Sequence, residues 1–158
     1  MIRVTVLNAD EVAGKFYAAA AAVNADSPAW LLEAGNIVEE SVRLRILTDG
    51  LVRTGALLGS GRVFGMTGTS VLVGFGEGLD YAPALELGAA PHPIPLSPDW
   101  SHMLHFFWER EGVEFWGPMV NHPGNKPYAF MRRGAESSLI PVAAMMFERL
   151  KTILGGIF

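Results

Sequence analysis

The sequence predicts an α+β fold in which helices pack on one antiparallel β-sheet. Three observations predict it. Apolar residues recur at helical spacing over 31–46 and again over 139–153. Short runs at 62–65 and 70–76, and aromatic runs at 102–110 and 113–120, read as strands joined in hairpins. The order is therefore strand, two helices, hairpin, hairpin, helix, with no internal repeat and no linker polar enough to divide the chain, so one domain over 1–158 is expected.

IRVTVL (2–7) alternates Ile2, Val4 and Val6 with Arg3 and Thr5, a short strand. Asn8 stands three residues before Glu11, a capping-box-like helix start, with Val12, Phe16, Ala19, Ala20 and Val23 on one face. Ser27-Pro28 predicts a second helix, Ser as N-cap and Pro in the first turn. Its stripe is Leu31, Leu32, Gly35, Val38, Val42 and Ile46, and Asp49-Gly50 ends it. Thr54 can cap a short turn carrying Leu57 and Leu58, followed by the first hairpin, with MTGT as its connection. YAPALELG (81–88) is a helical turn closed by Gly88. Residues 89–101 hold four prolines, which excludes helix and central strand. This stretch is too apolar for a free loop and is expected to lie as an arm on a neighbour. The aromatic hairpin follows, so 89–127 holds the proline-rich arm and this hairpin. A helix over about 129–154 closes the chain, with Leu139, Ala143, Met146, Leu150 and Ile153 as its expected seam and Pro141 as a kink or first turn.

Composition narrows function. Charged residues make up 18%, below the roughly 25% of ordinary soluble domains, while half of all residues are hydrophobic. That balance suits a chain whose surface is largely covered by partners. The formal net charge of −4 opposes general nucleic-acid binding. There is no cysteine, which excludes disulfides, thiolate nucleophiles and Cys-ligated zinc. MIRVTVLNADEV lacks the apolar core of a signal peptide, and YAAAAAV is too short to span a bilayer, so a soluble protein used without export is expected.

Candidate chemistry is sparse. His102 and His105, with Glu109 and Glu111 after them, would share a metal-binding face only on a helix; on a strand, residues three apart face opposite sides. GFGEG (74–78) is followed by no helix start and no Lys-Ser/Thr, so its glycines read as the release of a strand into a turn. Ser60 sits in Gly-Ser-Gly with no local histidine, and Glu39-Glu40 reads as a solvated helix face. Arg132-Arg133, with Lys126 and Arg62, could clamp phosphate or line a subunit interface.

Three segments carry a family resemblance. VRTGALLGSGRV (52–63) resembles an Asp-Thr-Gly-x-Leu-x-x-Ser signature, VLVGFGEGLDYAPALELG (71–88) a strand followed by Tyr-Ala-x-x-x-Glu-x-Gly, and VNHPGNKPYAFMRRGAES (120–137) a His-Pro-Gly-x-Lys-x-x-x-Phe-x-Arg segment. In this order and spacing, over roughly 30–152, they are similar to the neck, tail-completion or "minor tail" morphogenesis proteins of long-tailed phages. That head–tail connector family is typified by gene product ten of a Hong Kong lambdoid phage. Arg53 stands where the family usually has Asp, which leaves the turn's capping to Thr54 alone.

The resemblance implies a structural virion protein and not an enzyme, with no cofactor and no metal. It implies a homo-oligomeric ring, six-fold, assembled in the host cytoplasm. The ring would contact head stopper or adaptor proteins above and the tail terminator or tail-tube protein below, and would pass genomic DNA through its lumen without reading sequence. Thr54, Gly55, Leu57, Tyr81, Ala82, Glu86, Gly88, His122, Pro123, Gly124 and Phe130 are then structural motif positions. Arg53, Pro91, His92, Pro93, Pro95, Arg132 and Arg133 are expected at subunit or partner contacts. The tail terminator itself is the neighbouring alternative; a small metal-dependent hydrolase using His102, His105 and Glu109 is the alternative from another class.

Overall fold

The computed structural model describes residues 8–95, 103–108 and 112–157. The strand expected over 2–7 lies outside them. The chain divides into two compact units, Met1–Leu79 with Phe130–Phe158, and Asp80–Ala129.

The first unit is built on two long helices, α1 (Ala9–Thr48) and α4 (Phe130–Ile157). Asn8 precedes α1 at φ 65 and contributes no side-chain cap; its carbonyl accepts from Val12 N–H instead. Two helices were expected before residue 50; among the described residues there is one. Pro28 removes the N–H that would bond the Asn24 carbonyl, and Ser27 Oγ donates to that carbonyl at 3.1 Å. Ser27 thus bridges the gap left by Pro28 and does not start a new helix. At the other end Gly50 takes φ 68, its N–H bonds Leu47 O, and Leu51 N–H bonds Ile46 O, the Schellman stop that Asp49-Gly50 predicts.

The second half of α1 buries Trp30, Ala34, Gly35, Val42 and Ile46. The stripe expected on its first half is not core: Ala19 is buried, but Val12 and Phe16 are exposed. Ion pairs give the reason. Arg133 Nη1 meets Asp49 Oδ2 at 2.8 Å and Arg149 Nη2 meets Glu33 Oε2 at 2.7 Å, so α4 runs antiparallel to α1. At ~1.5 Å rise per residue α4 ends level with about residue 25, and the first turns of α1 run past it.

α2 (Ala56–Gly59) is a single turn that buries Leu57. β1 (Arg62–Met66) and β2 (Val71–Gly74) form the expected hairpin, with Val63 opposite Val73 and a bulge between Phe64 and Met66. Val63 and Val71 close over Gly35 of α1, where a Cβ would lie 2.9–3.0 Å from their methyl groups.

In the second unit α3 (Ala82–Leu87) is followed by β3 (His92–Pro95), β4 (Leu104–Trp108), β5 (Val113–Gly117) and β6 (Met119–His122). β4 pairs with β5 as the expected aromatic hairpin, and β3 pairs with β6 outside it in sequence. The single sheet that the sequence predicts is therefore three two-stranded ribbons among the described residues. Strands of four or five residues give each ribbon little length, and Pro93 and Pro95 deprive β3 of donors for a further neighbour. Residues 92–95 of the proline-rich stretch are thus an edge strand within the chain, in keeping with the exclusion of helix and central strand there.

Candidate interaction surface

The face of α4 turned to α1 is set by small residues. Phe130, Gly134 and Ser138 are buried at successive i+4 positions. Gly134 lets the helices close, since a Cβ there would meet Val42 at backbone distance. Of the seam expected on Leu139, Ala143, Met146, Leu150 and Ile153, this leaves Met146 and Ile153 half-buried and turns Leu139, Ala143 and Leu150 outward. Leu139 is 68% exposed, Ile140 82% and Phe147 65%; Leu150 and Leu154 are exposed as well. The outcome is an apolar stripe along the outer side of α4, interrupted by small Ala143 and flanked by Glu136 and Lys151. Contiguous exposed apolar surface of this kind marks interaction sites.

The aromatic ribbon offers a second apolar face. His105 stacks on Trp116, ring centroids 3.6 Å apart at 17°. Phe107 and Glu114 are the next opposed pair on that side, and Phe107 and Trp116 are exposed. On the other side Leu104 is buried and Phe106 tilts against Phe115 at 5.3 Å.

His105 is thus a strand residue, its Nε2 3.8 Å from a Glu114 carboxylate oxygen. The other members of the candidate metal set, His102, Glu109 and Glu111, lie outside the described residues. Among the described residues there is no group of three or more His, Cys, Asp or Glu placed to hold a metal ion. His92 and His122 are directly opposed on β3 and β6 with centroids 5.1 Å apart. His122 Nδ1 accepts from Gly124 N–H at 3.1 Å, which puts the proton of the neutral ring on Nε2.

Other motif residues also hold backbone. Thr54 Oγ1 accepts from Ala56 N–H at 3.3 Å after Arg53, which is exposed, and Gly55 takes φ 80. Ala82 is buried, Tyr81 is exposed, and Glu86 O accepts from Ala129 N–H. A Cβ on Gly88 would stand 2.9 Å from Asn125 O, and one on Gly124 would run into the Ala89 carbonyl. Ala89 and Asn125 exchange both backbone bonds across this point at 3.0 Å, with Pro123 exposed in the turn.

Ser60 is a latch: its Oγ donates to Leu57 O at 2.7 Å and accepts from Gly76 N–H at 2.8 Å, which also anchors the GFGEG turn. Glu39 differs from its solvated reading. It bonds Arg43 at 2.7 and 3.0 Å, and Arg43 Nη1 donates to Leu58 O at 2.8 Å. The i,i+4 spacing of Glu39 and Arg43 was the available signal. Of the arginines expected at contacts, Arg133 is engaged by Asp49 within the chain, and Arg132 is exposed. Pro91, His92, Pro93 and Pro95 are all exposed. Among the described residues no helix is long and apolar enough to cross a membrane.

Compared with known proteins, the chain matches no family model, no curated protein and no solved structure.

Proposed function

We propose that this chain is a ring-forming structural protein of the neck of a long-tailed phage, joining the head connector to the tail and completing the DNA conduit. The observation that carries the reading is the apolar outer stripe of α4. It gives the chain a large surface suited to other protein subunits. The motif segments agree in kind: Thr54, Gly55, Leu57, Gly88, His122, Gly124 and Phe130 serve in turns and core, as positions that preserve a scaffold do. The net charge of −4 suits a conduit, because like charge keeps DNA from adhering to the wall.

Gold-labelled antibody against the chain, applied to particles of the phage that encodes it, tests the placement. Label at the head–tail junction is expected. Label along the tail or at its tip, or none on intact particles, contradicts it.

A further inference from the structure

The outer stripe of α4 has an internal symmetry in its sequence. Ala143 and Ala144 stand at its middle. Ile140 and Phe147 are equally far from that middle on either side, and so are Glu136 and Lys151. Leu139 and Leu150 lie on one flank of the stripe, on opposite sides of the midpoint.

We propose that the outer face of α4 seats a second copy of this chain, antiparallel, about a two-fold axis level with the point between Ala143 and Ala144. In that arrangement Ile140 meets Phe147 of the other copy, and Leu139 meets Leu150. The paired alanines let the helix axes approach closely at the crossing. Glu136 faces Lys151 of the other copy at both ends, about 11 Å from the middle at the usual helical rise. Lys151 is already turned toward carboxylate, lying 3.6 Å from Glu148 of its own helix. A parallel arrangement would place Glu136 beside Glu136 and Lys151 beside Lys151, so the charges select the antiparallel one. Ile140 with Phe147 and Glu136 with Lys151 are reciprocal contacts at equal distances from the axis, as an isologous interface requires, and Leu139 lies within about 3 Å of the level of Leu150.

The inference goes beyond the ring reading. A two-fold pair is closed and occupies the stripe, so it is a state of the subunit outside the ring, and a monomeric free subunit would leave the ring reading to its own test in particles.

Analytical ultracentrifugation of the whole protein reads the pair directly. Wild type is expected at twice the chain mass, and Phe147→Glu at the chain mass with unchanged circular dichroism. Lys151→Glu is expected to raise the dissociation constant, and adding Glu136→Lys to restore it. The chain has no cysteine, so single substitutions report geometry. Ala143→Cys is expected to give a disulfide-linked dimer on mild oxidation. Leu154→Cys is not, because its two copies would stand about 30 Å apart. A wild-type monomer at all concentrations, a dimer that survives Phe147→Glu, or efficient Leu154→Cys linkage overturns the proposal.

Discussion

Gly134 of α4 stands against the backbone of α1 at Val42: a Cβ built on residue 134 would lie 2.6 Å from Val42 Cγ2 and 2.7 Å from Val42 Cα. Backbone cannot yield as a side-chain end can. Gly134→Ala adds about 1 kcal/mol of helix propensity, yet forcing the helices apart costs ~1–3 kcal/mol. The expected outcome is a lower melting temperature, by a few degrees for a chain of this size. A higher one would show that the two helices separate freely here.

Phe130 and Leu150 separate core from surface on α4. Phe130 is 1% exposed and Leu150 39%. Phe130→Ala is expected to lose ~3–5 kcal/mol. A seam position at Leu150 would make Leu150→Ala cost ~2–5 kcal/mol; its exposure reduces that to within about 1 kcal/mol. Urea unfolding of both variants checks the difference, and equal losses would put Leu150 back in the core.

Asp49 ties the ends of the helix pair together. Its Oδ2 accepts from Arg133 Nη1 at 2.8 Å, and its Oδ1 lies 3.9 Å from Arg45 Nη1. Arg133 is partly exposed, so the pair is modest. A double-mutant cycle of Asp49→Asn and Arg133→Gln should return a coupling of ~0.5–1 kcal/mol that shrinks with added salt. No coupling would mean that the two side chains part in solution.

The His-Pro-Gly turn is held at two strengths. Losing the His122 acceptor in His122→Ala is expected to cost ~0.5–1.5 kcal/mol. Gly124→Ala should cost more, because residue 124 takes φ 77 and its Cβ would strike the Ala89 carbonyl. Amide exchange at Ala89 and Asn125, which bond each other across the turn, reads both effects. Equal protection in wild type and Gly124→Ala would remove the steric account.

Much of this architecture was legible where a residue's local chemistry decides the structure. Gly50 stops α1, Gly88 closes α3, and the β1–β2 and β4–β5 hairpins fall where alternation and turn residues put them. What failed depended on partners distant in sequence. Pro28 reads as a helix start because nothing local shows that Ser27 will satisfy Asn24 O. The α4 seam was partly misplaced because Leu139 and Leu150 are more apolar than Gly134 and Ser138, while close approach to Val42 selects small residues. The candidate surface was hidden by the same error: its leucines were assigned to the core. His122 and His105 read correctly as turn and strand residues, since Pro123-Gly124 and the aromatic run around His105 fix their settings, whereas His92, between prolines and read as a loop residue, is in β3.

The central claim is that the chain joins heads to tails by assembling with other protein subunits. Disrupting its gene in the phage that encodes it, and viewing the lysate by electron microscopy, tests this most directly. Filled heads beside separate, complete tails are expected, with joined particles restored when the intact chain is supplied. Joined, infectious particles formed without the chain would contradict the account.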